Sequence, residues 1–560
     1  MTTARQLLLR KLRDRKAELL GDESIRPRPD PGPAPLSLAQ QRLWFLEQLE
    51  PGTPRFSLLT AVRLRGDLDP ARLQRAVSEV VRRHEALRTR FEMRDGEPVQ
   101  VVDPPWDVPL PLIDLSGLAA DVREALLHRL GGEEAGRPFN LRTGPLLRLV
   151  LLRFGAHHHA LLLTMHQISM DRWSRGILVR EVGALYDSPL PELPVQYADF
   201  AVWQREHPVD ERLLDWWKER LLPLPPTFEL PTDRPRPAVQ SPRGRMQFHS
   251  IPQAELDDLH ALARREGATL FMVLLAGLAA LLHRATGAED LIVGAPVANR
   301  HRPELDGVIG FFLNLLPLRL HPRADLSFRA LLAEARETAI GAFAHQEVPF
   351  ELLVNELGLD RDLSRHPLFQ VTLALQNAPV PPLEIPGLTA TLVEVDWGTT
   401  AFDLALFFWE TALWESLEPG LSFVTTASAA LFDAATVTRL AGHLRSILRD
   451  AAADPDRRLA DLLPGLPERR QILAAPMRRR PAVHVEPRTE TERIIASVWS
   501  KVLSRPVGVE DDFFDLGGHS LQAMAIVERL RRAGIGTTVR AIFEARTVAG
   551  LAELKASGNL

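Results

Sequence analysis

The sequence predicts a mixed α/β region of about 430 residues followed by a small all-helical unit. Three observations support this prediction. The 560 residues exceed the ~100–200 residues of one typical domain. Short apolar runs typical of strands alternate with longer helical patterns through the first part, which favours a mixed architecture. The final stretch, after a segment rich in proline and arginine, shows only helical periodicity.

The strand and helix patterns can be assigned to particular ranges. Strands are predicted at 58–64, 147–152, 161–166 and 290–293, and helices at 70–84, 173–186, 256–285 and 328–344. The last unit has helical patterns at 490–503, 520–533 and 548–555, which predict a small bundle.

Composition excludes several classes of function. The net charge is -5 and acidic and basic residues are interspersed, so nucleic acid is not an expected partner. The chain has no cysteine, which excludes disulfides, thiolate metal sites and cysteine nucleophiles. The start does not resemble a secretory signal, and no apolar run approaches the ~20 residues of a membrane helix. We therefore expect a cytoplasmic protein that does not insert into a membrane.

Two segments are predicted to lie outside the folded units. Residues 1–36 combine a short amphipathic helix with a proline-rich extended segment. The helix is either a capping leader or a docking element for an upstream protein. Residues 466–488, rich in proline and arginine, predict a linker. The phosphate-binding loop, the dinucleotide fingerprint and the zinc-protease helix motif are all absent from the sequence.

Three consecutive histidines, His157 to His159, precede a predicted strand. Adjacent strand residues point to opposite faces, so the run is a poor chelate. We expect an exposed strand edge there.

A serine near the C-terminus lies in a specific motif, DDFFDLGGHSLQA, which begins at Asp511. Two glycines permit a tight backbone path, and Ser520 then stands where a helix begins, a position that favours serine and attracts negative charge. A hydrolase elbow, G-x-S-x-G, is a rival interpretation, but its last glycine is replaced by Gln522.

The complete motif, with helices on both sides, closely resembles that of peptidyl carrier domains. This resemblance implies a four-helix carrier domain at 489–557. It also implies that a phosphopantetheinyl transferase attaches 4′-phosphopantetheine from coenzyme A to Ser520.

Seven phrases in the longer region occur in the order found in another family. They begin at Ser37 (SLAQQRLWFL), Arg83 (RHEALRTRF), His166 (HQISMDRWS), Tyr197 (YADFAVWQ), Ile309 (IGFFLNLLPLR), His345 (HQEVPFELLVNEL) and Arg365 (RHPLFQVTLALQN). Together they resemble the condensation domains of nonribosomal peptide synthetases.

That resemblance implies an α/β fold of two chloramphenicol-acetyltransferase-like lobes arranged as a V. The N-lobe would occupy 37–210 and the C-lobe 211–465. The reaction implied is attack of an acceptor amine, held on a carrier, on a donor acyl thioester brought by an upstream donor carrier domain. No metal is implied.

The central family motif, H-H-x-x-x-D-G, is altered in this chain. The first His and the Asp are present as His166 and Asp171, but Gln167 replaces the second His and Arg172 the final Gly. A glutamine amide can position an amine or an oxyanion through hydrogen bonds but cannot act as a base. In the family the reaction centre lies in a tunnel between the two lobes. Three consequences of Arg172 stay open: it narrows this tunnel, binds an acidic substrate group, or faces away.

The resemblance also implies structural roles around the tunnel. His166 and Asp171 are expected to hold the motif loop, and the family Asp pairs with an arginine. Arg300 and Arg90 are the candidate partners. Asn314, within the phrase that begins at Ile309, is a further candidate tunnel residue.

Two functions remain open from the sequence. In the first, the domain forms an amide, or an ester, with Gln167 in a positioning role. In the second, it has lost condensation and presents its carrier to partner enzymes as a scaffold. A deliberate His-to-Gln replacement made to trap a substrate is a third possibility, but it would leave Arg172 unexplained. Because no adenylation signature is apparent and no thioesterase follows the carrier, we expect either that an adenylation enzyme loads the carrier in trans or that the chain is a piece of a longer protein. Tailoring or releasing enzymes are further candidate partners.

Overall fold

The protein is described by a computed structural model that covers residues 24–359, 362, 364–376, 385, 387–410, 419–462, 485–514, 516, 518 and 520–557. The side chains of Ser520 and Leu521 are outside this description. The predicted leader helix at 3–20 and most of the predicted linker at 466–488 likewise lie outside the described residues.

The strands are β1 (Ala34–Pro35), β2 (Ser57–Gly66), β3 (Thr89–Arg94), β4 (Glu97–Val102), β5 (Leu112–Asp114), β6 (Leu147–Gly155), β7 (His158–His166), β8 (Gly244–Pro252), β9 (Leu291–Val297), β10 (Asn314–Leu320), β11 (Val371–Leu375), β12 (Leu388–Val393), β13 (Leu404–Trp409) and β14 (Gly420–Ser428).

The helices are α1 (Leu38–Leu49), α2 (Pro70–Arg83), α3 (Ala120–Gly136), α4 (Arg172–Leu185), α5 (Tyr197–Glu206), α6 (Glu211–Leu221), α7 (Gln253–Arg265), α8 (Leu270–Thr286), α9 (Phe328–Ala344), α10 (Phe350–Glu356), α11 (Ala434–Ala453), α12 (Glu490–Leu503), α13 (Ser520–Arg532), α14 (Val539–Ala545) and α15 (Val548–Ala556).

The N-lobe is a five-stranded sheet in the order β12-β2-β7-β6-β5, with helices on both faces. Apolar residues of α2 and α4 pack on one face, against alternate residues of β6 and β7 such as Leu149 and Leu163. Helix α3 packs on the other face. The alternation of strand side chains between two covered faces explains why these strands are apolar on both sides.

The C-lobe is a six-stranded mixed sheet in the order β10-β9-β11-β13-β14-β8. Helix α8 is buried along nearly its whole length, which explains its unbroken apolar sequence. Helices α7, α9 and α11 complete the same core. The α/β fold with two sheet-based lobes therefore agrees with the fold class predicted from sequence.

The lobe boundary predicted at 210/211 does not account for one strand that crosses between the lobes. Strand β12, from the C-lobe part of the chain, pairs antiparallel with β2 over Leu388–Val393 and completes the N-lobe sheet. Pairing satisfies the backbone groups that the edge of β2 would otherwise expose. Residues 388–393 therefore belong structurally to the N-lobe.

The described residues of the proline-rich segment, 24–36, do not form a free linker. Ile25 is buried, and Arg28 bonds Asp199 at 2.9 Å and Glu85 at 2.8 Å. Strand β1 pairs with β4. Residues 24–36 therefore pack against the N-lobe, contrary to the prediction, because buried ion pairs and sheet pairing anchor them.

Two further predictions from sequence need correction. The single helix predicted at 256–285 is divided into α7 and α8 by Gly267, whose φ of 60° a helix cannot accommodate. The histidine run is not at a sheet edge, because β7 lies between β2 and β6. His159 is consequently buried, whereas His157 lies exposed in the turn before β7.

The C-terminal unit contains four helices among its described residues, α12 to α15, around a core that includes Trp499 and Phe513. Helix α14 was not among the three helical patterns, since its seven residues are too few to show a clear period. Within the described residues no single helix has the length and apolar composition of a membrane span; α7 and α8 reach it only together, across a 101° bend.

We predict that Gly310→Ala destabilises the fold, because an ideal Cβ at this residue would lie 1.9 Å from Cδ2 of Tyr197. Overpacking of this kind costs about 1–3 kcal/mol. The measurement is the free energy of unfolding in urea. The matched control is Gly132→Ala on α3, where a Cβ meets nothing within 4 Å, and a gain of about 0.5–1 kcal/mol is expected. Equal effects of the two substitutions would contradict this packing.

Candidate functional site

The altered motif lies where β7 ends and α4 begins. β7 ends at His166, a single 3₁₀ turn spans Gln167–Ser169, and α4 starts at Arg172. Asp171 caps this helix, because its Oδ1 accepts the backbone N–H of Ser174 at 2.8 Å. Aspartate is favoured at such a position, so the sequence itself sets where the strand-to-helix passage ends.

The Asp171 carboxylate is buried and bonded on both oxygens. Its Oδ2 accepts the N–H of Phe312 at 3.0 Å, and Arg300 Nη2 lies 3.5 Å from Oδ1. Arg300 also donates to Ser174 Oγ at 2.8 Å, and this hydroxyl donates to the carbonyl of Gly310 at 2.8 Å. The buried charges are thus paired and hydrogen-bonded, as such groups require.

Of the two arginines proposed as partners of Asp171, only Arg300 is in place. Arg90 lies on β3 and instead bonds Asp103 at 3.0 Å and Glu92. Both arginines were candidates because each lies in or near a family phrase. Only the tertiary structure shows which of the two contacts Asp171. The prediction for Arg90 is therefore wrong.

The segment from 309 to 312 is held from two further directions. The hydroxyl of Tyr197 donates to the carbonyl of Phe311 at 2.7 Å and contacts Ser37 Oγ at 2.7 Å. The N–H of Ile309 donates to Nδ1 of His84 at 3.2 Å. Burial lowers the pKa of His84, which favours the neutral ring with its proton on the nitrogen that faces Glu181.

His166 is a neutral, structural histidine in this arrangement. Its Nδ1 accepts the N–H of Ile168 at 3.1 Å, so the ring proton resides on Nε2. Burial lowers the pKa of His166 to about 3, and the edges of Phe56 and Phe139 enclose the ring. With its lone pair engaged, His166 is not poised to act as a base.

Gln167 differs from its neighbours because its side chain is not engaged. Its backbone N–H donates to the carbonyl of Phe56 at 2.9 Å, which fixes the position of the residue. The side chain is half-buried, and within the described part of the chain its amide has no hydrogen-bond partner. An amide can offer two donors and an acceptor, so Gln167 is available to bind a substrate.

Arg172 does not face away from the protein. Its guanidinium lies over the rings of Phe407 and Trp409, at 5.5 and 5.2 Å from their centroids. Arg172 therefore reaches from the N-lobe to β13 of the C-lobe. Arg175, one turn further along α4, donates to Thr60 Oγ1 at 3.2 Å. The sequence analysis missed Arg175, although its i, i+3 spacing from Arg172 places both on one helix face.

Asn314 has a structural role. Its amide nitrogen donates to the carbonyls of Gln346 and Val348 at 2.9 and 2.7 Å. Its oxygen accepts the N–H of Phe350 at 2.9 Å. Because the amide is satisfied on both sides, Asn314 holds the loop before α10 and does not offer a free group to the tunnel.

The carrier motif has the local structure that an attachment site needs. Helix α13 begins at Ser520, so the first N–H groups of the helix and the positive end of its dipole suit a phosphodiester. At Gly518 a Cβ would lie 2.4 Å from the carbonyl oxygen of Phe513, so only glycine fits. Arg546 binds Asp512 at 2.7 Å and fixes the preceding loop. The residues present therefore fit 4′-phosphopantetheine.

The carrier unit lies against α1, and a cavity lies beside this contact, lined by residues of α1, α10 and α14. The rings of Phe45 on α1 and Phe543 on α14 are 5.4 Å apart. The cavity has a volume of about 290 Å³ and is lined by both of these residues and by Phe56. Since Phe56 binds the backbone of Gln167, the cavity extends from the carrier toward the motif. No group of three or more metal-binding side chains occurs among the described residues.

We predict that His166 contributes to the loss of stability in acid. Its pKa is about 3 in the folded protein and about 6.5 when unfolded. Between these values the unfolded chain binds a proton that the folded chain does not, so the free energy of unfolding falls as pH falls from 6.5 toward 3. His166→Asn keeps an acceptor near Nδ1 but does not titrate, so this slope should decrease by up to about 1.4 kcal/mol per pH unit.

The measurement is chemical denaturation between pH 4 and 7. Exposed His128 supplies the control, because His128→Asn should leave the slope unchanged. An unaltered slope in His166→Asn would contradict the burial of a neutral ring.

Comparisons with known proteins agree with this architecture. Residues 32–473 match the model of the family described as condensation domain, and residues 493–554 match the family described as phosphopantetheine attachment site. The chain is similar to a linear gramicidin synthase of Brevibacillus parabrevis, with 39% identity over 90% of this chain and 10% of that protein. It is also similar to phosphinothricin tripeptide synthetase PhsC of Streptomyces viridochromogenes, with 42% identity over 79% of this chain and 41% of that protein. The chain thus spans only a small part of the length of these relatives.

Solved structures give the same result. The X-domain from teicoplanin biosynthesis matches 78% of this chain and 99% of its own, with 28% identity and a TM-score of 0.70. The first condensation domain of the CDA synthetase matches 77% of this chain and 98% of its own, with 25% identity and a TM-score of 0.67. The chain therefore belongs to the condensation domain family of nonribosomal peptide synthetases and carries, after that domain, a carrier domain with a phosphopantetheine attachment site.

Proposed function

We propose that the condensation domain joins a donor acyl or peptidyl thioester to an acceptor amine, and that Gln167 acts by positioning. The observation that carries this proposal is the contrast within the motif. His166 Nδ1, the Asp171 carboxylate and Arg300 Nη2 are engaged in holding the loop, whereas the whole Gln167 amide, fixed at its backbone, is left without a partner among the described residues. A loop held this firmly supports a function for the side chain it presents.

Ser520 is the residue we assign to the attachment of 4′-phosphopantetheine. Its place at the start of α13, after the obligatory Gly518, supports this assignment. When bound, the arm supplies a thiol that holds the substrate as a thioester. The protein's contribution is to anchor the phosphodiester at the helix N-terminus and to present the carrier to the condensation domain.

The chemistry asked of Gln167 needs no change in its protonation. The attacking amine forms the new C–N bond, the C–S bond of the thioester breaks, and the proton lost by the amine ends on the departing thiol. The Gln167 oxygen can accept from the amine N–H, or its nitrogen can donate to the developing oxyanion. Orientation of the reactants alone contributes about 7–11 kcal/mol to lowering the barrier, whereas loss of general base catalysis costs about 10²–10⁴-fold. Slow condensation is therefore expected.

The carrier of this chain is proposed to bring the acceptor. The contact between Phe45 and Phe543 and the adjoining cavity that reaches Phe56 support an entry on this side. The donor would then come on an upstream carrier domain. A phosphopantetheinyl transferase would modify the carrier, and an adenylation activity would load it.

A scaffold function is the second candidate, and one observation favours it. The chain is similar in structure to the X-domain from teicoplanin biosynthesis, which has been solved as a complex with OxyB. In this alternative the domain would present its carrier to tailoring or releasing enzymes without forming a bond. The partner-free amide of Gln167 would then have no reacting group to bind.

The assignment of Ser520 predicts a single modification. Incubation with coenzyme A and a promiscuous phosphopantetheinyl transferase should add one arm to the chain, as measured by intact-protein mass spectrometry. Ser520→Ala should abolish the addition. The control is Ser500→Ala on α12, which should be modified normally. An arm on the Ser520→Ala protein would refute the assignment.

The positioning role predicts graded effects at Gln167. With loaded donor and acceptor carriers, the natural protein should give product above the uncatalysed background. Gln167→Ala removes one hydrogen bond and should slow product formation, whereas Gln167→His should match or exceed the natural rate because an imidazole can also take a proton. Product is measured by mass spectrometry of the carrier arm.

One outcome of the experiment with the Gln167 variants distinguishes condensation from the scaffold function. If the natural protein forms no product with its cognate carriers and Gln167→His does, the scaffold function is correct. The Ser520→Ala protein serves as the blank, because its carrier cannot hold an acceptor.

A further inference from the structure

Two arginines of α4 face a narrow space between the lobes. Arg172 and Arg175 line it together with Thr60 and Trp409, and apolar residues form most of the remaining wall. No aspartate or glutamate is among the lining residues in the part of the chain that the structure describes. Two cations thus meet at an interior surface that offers them no counter-charge.

The local electrostatics make this arrangement unfavourable without a ligand. Arg172 is the first residue of α4 and Arg175 follows one turn later, so both are near the end at which the helix dipole is positive. Burial, and next the charge of Arg175, lower the pKa of Arg172. The nearby Asp171 carboxylate is occupied by Ser174, Phe312 and Arg300. Both arginines are half-buried, and a charge withdrawn from water is stabilised by a paired charge, so an anion from outside the described residues would be favourable here.

The guanidinium groups of Arg172 and Arg175 have N–H donors available to bind a ligand. Aromatic faces of Phe407 and Trp409 support the Arg172 guanidinium, and such stacking leaves the N–H edge of a guanidinium free. Within the described residues Arg172 has no hydrogen-bond acceptor, and Arg175 has only Thr60. A planar guanidinium offers five donors, which match a carboxylate in paired geometry.

The size and place of the space indicate what part of a ligand it holds. Its volume is about 40 Å³, a few times the ~10–15 Å³ that one water molecule requires, so it admits a terminal group and not a whole chain. Thr60 is three residues along β2 from Ser57, which pairs with His166. At ~3.3 Å per strand residue the Thr60 side of the space lies about 10 Å from His166. A group attached several bonds from the reacting carbonyl would reach it.

We propose that Arg172 and Arg175 form an anion subsite that selects a carboxylate carried on the acyl part of the substrate. This inference rests on the proposed function only in taking a carrier-bound acyl group as the occupant. The replacement of the motif glycine by Arg172 then has a role in substrate selection. It places a second guanidinium where glycine would leave the charge of Arg175 alone.

The test measures binding without turnover, using the full chain and two pantetheine thioesters. Adipoyl-pantetheine carries a free carboxylate, and its monomethyl ester is the neutral counterpart. By calorimetry the natural protein should bind the acid about tenfold more tightly than the ester, as expected for one charge-assisted contact. Arg172→Met keeps much of the side-chain volume and should reduce this ratio to about one.

Controls separate the subsite from general charge effects. Arg180→Met alters an exposed arginine of the same helix and should keep the preference. Arg175→Met should weaken it, and this variant decides the question if Arg172→Met does not fold, as judged by circular dichroism. Equal binding of the two probes, or a preference that survives both substitutions, would overturn the subsite while leaving condensation unaffected. Binding of neither probe would count against both.

A second pair of probes identifies the source of the anion. The arm itself contains a phosphate, so phosphopantetheine and pantetheine are compared in the same way. The carboxylate assignment expects Arg172→Met to leave this second ratio unchanged. If Arg172→Met instead abolishes a preference for phosphopantetheine, the anion is the phosphate of the arm and the carboxylate assignment is overturned.

Discussion

The burial of the Asp171 carboxylate is the constraint on which the motif region depends. A carboxylate removed from water must be met by donors, and here these donors come from parts of the chain far apart in sequence. The N–H of Phe312, the N–H of Ser174 and the guanidinium of Arg300 all converge on it. Meeting that single requirement brings the start of α4 against the segment that leads into β10 of the C-lobe.

Groups around this carboxylate divide into those that are satisfied and those that are not. Ser174, Tyr197 and His84 use their hydrogen-bonding capacity on the protein. Gln167 and Arg172 do not, within the described residues. Since unsatisfied polar groups are costly in a folded interior, their occurrence in one rigid motif indicates where a ligand belongs. The same rigidity gives a non-basic residue such as Gln167 the means to contribute through orientation.

The lobes and the carrier are linked by shared structure rather than by sequence order. Strand β12 leaves the C-lobe part of the chain to complete the N-lobe sheet, and Arg172 reaches from α4 to aromatic rings on β13. The carrier contributes Phe543 to the cavity beside α1. Each of these contacts joins residues well over a hundred positions apart, so the space available to a substrate is set by all three parts together.

The sequence by itself determined the α/β class, most of the elements and both family assignments, because periodicity and short motifs are local properties. It also indicated His166, Gln167, Asp171 and Ser520 as the candidate site residues, because their types and spacing match the motifs of the two families. Only the tertiary structure decided that Arg300 and not Arg90 meets Asp171, that residues 24–36 are anchored, and that α7 and α8 are separate. It alone paired Arg172 with Arg175 at a surface between the lobes whose described lining residues include no acid. These outcomes depend on which distant groups satisfy one another's charges and hydrogen bonds, and no local pattern encodes that choice.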